Sequence, residues 1–125
     1  MPRQAFQPED MAKPKPPYSP VVVSGDTVWT AGQIANDAEG NLIGGGIAEQ
    51  TRRSLENVRA CLKAAGCTMD DVVKVNAYLA DLSDMAGYNE VYREFFDEPY
   101  PARSSVQAGL PPRVLVEIEV VARRA

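Results

Sequence analysis

Histidine is absent from all 125 residues. That excludes histidine triads, histidine acid/base pairs and most catalytic zinc sites, so any chemistry must use other groups. Cysteine is scarce: Cys61 and Cys67 are too few for a disulfide framework, and their spacing matches no zinc or redox motif. Both are expected as reduced, partly buried thiols, and no metal site is expected. No apolar run approaches the ~20 residues that span a bilayer, and the opening residues lack the apolar stretch of a signal peptide. A cytoplasmic chain without a membrane partner is therefore predicted. Positive charge is also in deficit, with 13 Lys and Arg against 17 Asp and Glu, net −4. Such a surface repels polyanions and makes nucleic acid a poor partner.

What is present is a globular composition, 45% hydrophobic and 24% charged, in a length that suits one domain over residues 1–125. Residues 1–20 hold six of the ten prolines and read as an extended arm, with a short strand at Arg3 to Gln7. Val21 to Val23 and Thr27 to Thr30 flank Ser24-Gly25-Asp26, the pattern of a hairpin. After the Gly44-Gly45-Gly46 loop, Leu55, Val58, Leu62 and Ala65 recur at helical spacing, which predicts a helix over 47–65 closed by Gly66.

Residues 71–80 read as a strand with Val73, Val75, Ala77 and Leu79 on one apolar face. A second helix follows, capped by Ser83 or Asp84, striped by Met85, Tyr88, Tyr92 and Phe95, and ended by Pro99. Strands over 103–108 and 114–122, parted by Gly109-Leu110-Pro111-Pro112, complete the order β-β-β-α-β-α-β-β. The fold class is α+β: two helices cover one face of a mixed sheet of about six strands, and the other face is left for a second copy.

In the last strand Val116, Ile118 and Val120 should face the helices, with Glu117 and Glu119 on the opposite face beside Leu115 and Val121. In the strand before it, Arg103, Ser105 and Gln107 form a polar row. If the two rows share a face, Arg103 and a glutamate lie in one cleft. On spacing alone an ordinary surface ion pair, contributing ~0–1 kcal/mol, is the favoured reading. Arg123 and Arg124 read as a solvated basic tail.

Five segments in order, Thr30-Ala31-Gly32-Gln33-Ile34, Ser54-Leu55-Glu56-Asn57-Val58, Ala64-Ala65-Gly66, Tyr88-Asn89-Glu90-Val91-Tyr92 with Phe95-Phe96, and Pro101-Ala102-Arg103-Ser104, resemble the reactive intermediate deaminase family (RidA, also called YjgF). The closing Val116-Glu117-Ile118-Glu119 extends the resemblance over essentially the whole chain. It implies a chorismate-mutase-like fold and a homotrimer whose free sheet faces form a central barrel, with active sites between adjacent subunits. It also implies cofactor-free hydrolysis of small 2-imino acids and their enamine tautomers to 2-keto acids and ammonia, as in a 2-iminobutanoate/2-iminopropanoate deaminase.

The resemblance assigns Arg103 to the substrate carboxylate, a task suited to a planar, permanently charged fork of donors. It assigns Glu117 to the water that attacks the C=N carbon, with Glu119 in a lesser part. Tyr18 matches the tyrosine that closes the pocket from the arm, and Asn89 a site asparagine on the second helix. Gly32 matches a glycine that lets backbone approach the ligand. Two positions depart from the family pattern: Ser105 stands where many members have cysteine, and Ala31 where many have serine. Their loss keeps open a noncatalytic binder of small carboxylates or keto acids. A pathway-specific deaminase, for an aminomuconate or aminoacrylate, stays open as well. A ribonuclease fares badly in an acidic chain without histidine, and a holdase would need a large exposed apolar patch.

Overall fold

The computed structural model describes residues 2–124; Met1 and Ala125, the ends of the predicted arm and domain, lie outside the described residues. Six strands form one sheet: β1 Gln4–Phe6, β2 Val21–Ser24, β3 Thr27–Thr30, β4 Val72–Leu79, β5 Ala102–Gln107 and β6 Val116–Arg123. Helix α1 spans Ile47–Ala64 and α2 spans Met85–Phe95. The sheet order is β1-β2-β3-β6-β4-β5, antiparallel throughout except for the parallel pair β4 and β5. The element order and the mixed α+β architecture are those the sequence predicts.

Local chemistry sets the boundaries. Gly25, first of two turn residues between β2 and β3, has φ +62, as the turn of a tight two-residue hairpin requires. Helix α1 ends in a paired closure: Gly66, at φ +82, donates to Lys63 O and Cys67 donates to Leu62 O at 2.8 Å. Asp84, one of the two expected caps, does precede α2, but its side chain makes no capping hydrogen bond. Asp81 accepts from Ser83 N at 2.9 Å and starts a short 3-10 turn, Leu82–Asp84, that leads into α2. The helix also stops at Phe95, before Pro99, because Phe96 turns to extended backbone and buries its ring in the core.

The core lies between the sheet and the two helices, with Val21, Val28, Leu55, Val58, Leu62, Val75, Leu79, Tyr88, Val116 and Ile118 fully buried. The strand over 71–80 needs one correction. A register shift between Val72 and Lys74 opposite β6 lets Val72, not Val73, turn inward, and Val73 is left exposed. Both thiols are buried, and loss of solvent pushes Cys61 up to about 12. Arg123 and Arg124 are not a free tail. Arg123 pairs with Asp26 at 2.7 Å and holds that carboxyl below its ordinary value, while Arg124 donates to Gly25 O, so both tie β6 to the hairpin turn. No described helix is long and apolar enough to cross a membrane.

Candidate functional site

Alternation along β6 puts Val116, Ile118 and Val120 under the helices and Glu117 and Glu119 on the other face. Glu117 pairs across the sheet with Tyr78, which pairs in turn with Val106; these three share the uncovered face. Arg103 instead pairs with Val75, a core residue, and so stands on the helix face. The two rows therefore do not share a face, so Arg103 and Glu117 form no common cleft within one copy, and among the described residues Arg103 makes no ion pair either. Parallel pairing of β4 with β5 fixes this phase, and a one-residue difference in register would have reversed it.

Glu117 looks into a cleft of about 670 Å³ between the arm residues 11–20 and the loop after β3, lined also by Tyr18, Ala31 and Gly32. That loop is held by backbone and by α1. Gln33 and Ile118 exchange both backbone hydrogen bonds, at 2.8 and 3.0 Å. Ser54 Oγ donates to Gln33 O at 2.6 Å, and Asn57 Nδ2 donates to Ile34 O and Asn36 O at 3.0 Å each. Gly32 is thereby pressed against Glu117: a Cβ there would lie 2.8 Å from the Glu117 Cδ and 2.9 Å from its Cγ. The glycine thus makes room for the glutamate itself. Burial, and secondarily the Glu119 charge, raise the Glu117 carboxyl above its ordinary value. Tyr78 is likewise raised, by desolvation first and then by Glu119 and Glu117.

Arg103 borders a second cleft of about 290 Å³ with Asn89, Tyr92, Arg93, Tyr100 and Pro101. Its Nη1 donates to Asn89 Oδ1 at 2.8 Å. Ser105, two residues along the same strand, lies 3.3 Å from the Tyr88 hydroxyl. The predicted residues thus fall into two groups: Tyr18, Ala31, Gly32 and Glu117 at one cleft, and Asn89 and Arg103 at the other, with Ser105 beside it on the Tyr88 hydroxyl. Among the described residues no group of three or more histidine, cysteine, aspartate or glutamate side chains gathers as metal ligands do.

The sequence reading passed over two sets of residues. Gln50, Ser54 and Asn57 of α1 are buried and each satisfies loop backbone; Gln50 donates to Arg113 O and accepts from Leu115 N. Their i, i+4, i+7 spacing puts them on one helix face, but a polar stripe reads as a solvated face and gave no sign of burial. Tyr88 and Tyr92, which face Arg103, gave no signal either, because aromatic residues at helical spacing read as core; Tyr100 stands in the connection between α2 and β5.

Comparison with known proteins follows this geometry. The sequence model described as Endoribonuclease L-PSP matches residues 9–124. A RutC family protein of Pyrococcus abyssi is 45% identical over 124 residues, which is 98% of each chain. The 2-iminobutanoate/2-iminopropanoate deaminase of Homo sapiens is 43% identical over 108 residues, 85% of this chain and 79% of that one. Among solved structures, Escherichia coli TdcF with bound serine superposes with a TM-score of 0.89 at 38% identity, covering 98% of this chain and 99% of that one. RidA of the Antarctic bacterium Psychrobacter superposes with a TM-score of 0.89 at 41% identity, covering 97% and 99%. On a family match that spans nearly every residue, and on superpositions that cover nearly the whole of each chain, the chain belongs to the Endoribonuclease L-PSP family, that of the RidA and YjgF proteins.

Proposed function

We propose that the protein is a cofactor-independent hydrolytic deaminase of small 2-imino acids and their enamine tautomers, with each site completed by a neighbouring copy in a homotrimer. The observation that carries this is the division of the site: a half-buried carboxylate with a raised pKa on one sheet face, and an exposed arginine fork on the other. Neither half suffices for an imino acid, which presents both an anionic carboxylate and an electrophilic carbon. The uncovered sheet face also supports assembly, since Trp29 and Val106 are 43% and 48% exposed there. The relatives named as imine deaminases support the reaction class. TdcF is solved with bound serine, a small molecule that carries an α-carboxylate as a 2-imino acid does.

In the proposed reaction Arg103 of one copy takes the substrate carboxylate with two parallel hydrogen bonds. Glu117 of the next copy accepts a proton from water as its oxygen adds to the C=N carbon, and the imine nitrogen takes a second proton from solvent. Glu117 then returns its proton to the nitrogen of the carbinolamine; the C–N bond breaks, ammonia leaves, and the remaining hydroxyl gives its proton back to solvent to form the ketone. An enamine first takes a proton at carbon to become the imine. Its raised pKa makes the Glu117 carboxylate a better proton acceptor than an ordinary glutamate, and the acid so formed can hand the proton on to nitrogen.

The test generates 2-iminobutyrate in situ with an amino-acid oxidase and traps what remains with semicarbazide. Wild type should abolish the trapped adduct, and Arg103→Ala and Glu117→Ala should each restore it. Undiminished adduct with wild type sinks the deaminase and favours a binder of small carboxylates. Mixing the two inactive variants tests the shared site: recovered activity means that intact halves met across an interface.

A further inference from the structure

Tyr88 and Tyr92 are buried, 0% and 5% exposed, and lie one turn apart on α2, where they read as core. Both also turn their rings to Arg103, whose guanidinium carbon is 5.1 Å from the Tyr88 ring centre and 4.7 Å from that of Tyr92. The rings are fixed in turn. Tyr88 is tethered to Ser105 at 3.3 Å, and Tyr92 packs on Phe96 with ring centres 4.6 Å apart. Asn89 completes the arrangement by accepting from Nη1.

Every group that holds Arg103 is neutral. Among the described residues no carboxylate lies within ion-pair distance of it. An arginine that serves only to tie elements together is ordinarily paired, as Arg52 is with Glu94 across α1 and α2. Arg103 keeps its full charge, while two ring faces remove most of the rotamer freedom that a long side chain on an edge strand would otherwise retain. Binding a carboxylate then costs less ordering at the moment of contact.

We propose that Tyr88 and Tyr92 are positioning residues that hold the Arg103 guanidinium in the plane needed for a bidentate carboxylate, with Ser105 fixing the Tyr88 ring through its hydroxyl. The proposal rests on the reading of Arg103 as the carboxylate binder and does not require turnover. It also gives Ser105 a task that a thiol would perform less well, since a hydroxyl is the stronger hydrogen-bonding partner. Ser105 then acts through Tyr88 and needs no contact with substrate.

The Tyr92 hydroxyl is buried and has no partner, so Tyr92→Phe keeps everything the clamp uses, whereas Tyr92→Leu removes the π face. Titration calorimetry with 2-ketobutyrate on the full chain should show Tyr92→Phe within about twofold of wild type and Tyr92→Leu weaker by about tenfold. KM for 2-iminobutyrate should follow the same pattern while kcat stays within about threefold. Tyr88→Phe and Ser105→Ala, which leave the packing intact, should each weaken binding about threefold, and the double variant should be no worse than either alone.

Equal affinity of Tyr92→Leu and wild type, or a fall in kcat without a rise in KM, overturns the clamp and leaves the deaminase standing. Additive losses in the Tyr88 and Ser105 pair overturn the tether even if Tyr92→Leu fails to fold. Keto-acid binding with the expected pattern but without turnover of any imine sustains the clamp and refutes the deaminase. A wild type that binds no keto acid overturns the clamp.

Discussion

The two clefts hold their charged groups by opposite means. Glu117 is confined by polar groups: α1 buries Ser54 and Asn57 to fix the loop, and the loop presses Gly32 against the carboxylate. Arg103 is confined by aromatic faces and one amide, all from α2. A carboxylate placed against backbone loses solvent and its pKa rises, whereas a guanidinium placed on rings keeps its charge and loses mainly freedom. On the proposed reading, one cleft serves proton transfer and the other recognition.

The sharpest way to break that contrast is Glu117→Gln, which keeps shape and removes the base. Imine hydrolysis should fall by about 10²–10⁴-fold, with keto-acid affinity changed far less. Its stability should move the other way. Because the folded pKa of Glu117 lies above its ordinary 4.5, the fold tolerates the neutral form better; this contribution is present below the ordinary value and is lost as pH rises through the raised one. Glu117→Gln should therefore melt higher than wild type at pH 7, and the gap should close on acidification. A variant that melts lower at pH 7 would show that the carboxylate is not strained by burial.

Gly32→Ala probes the same cleft through its wall. The new Cβ meets the Glu117 side chain, so the carboxylate must move while the fold stays, and activity should drop by about 100-fold with a near-normal melting temperature. Full activity in that variant would mean that Glu117 has room to spare. Asn57→Ala removes both bonds to the loop and should cost about 1–3 kcal/mol in urea unfolding, because Ile34 O and Asn36 O lose a buried donor. A change under ~0.5 kcal/mol would say that other contacts hold the loop. The smallest effect is expected from Glu119→Gln. Removing the like charge lowers the Glu117 pKa, so the acid limb of the pH–rate profile should shift to lower pH with little change at its plateau. A shift to higher pH would contradict the assigned cause.

Most of the architecture could be read from local pattern. Gly25 and Gly66 sit where turn and helix closure need positive φ, and Leu55, Val58 and Leu62 mark the buried stripe of α1. Local pattern failed where a partner strand or a neighbouring loop decided. Val73 reads as a core residue until the shift in register against β6 turns Val72 inward instead. Asp84 precedes α2 as local pattern suggests, yet the side-chain cap bond is made one element earlier, where Asp81 accepts from Ser83 N and starts the 3-10 turn. Gln50 looks like a surface residue of a helix until Arg113 O and Leu115 N arrive from 63 and 65 residues away.

The sequence by itself determined the element order and the two-layer core, because helical and strand periodicities and glycine positions are properties of neighbouring residues; Arg103 and Glu117 stood out only through the family resemblance, since their spacing alone reads as a surface ion pair. Only the tertiary structure decided that those two residues stand on opposite faces of the sheet. That follows from how β4 pairs with β5 on one side and β6 on the other, and pairing across dozens of residues leaves no trace in the local alternation of either strand.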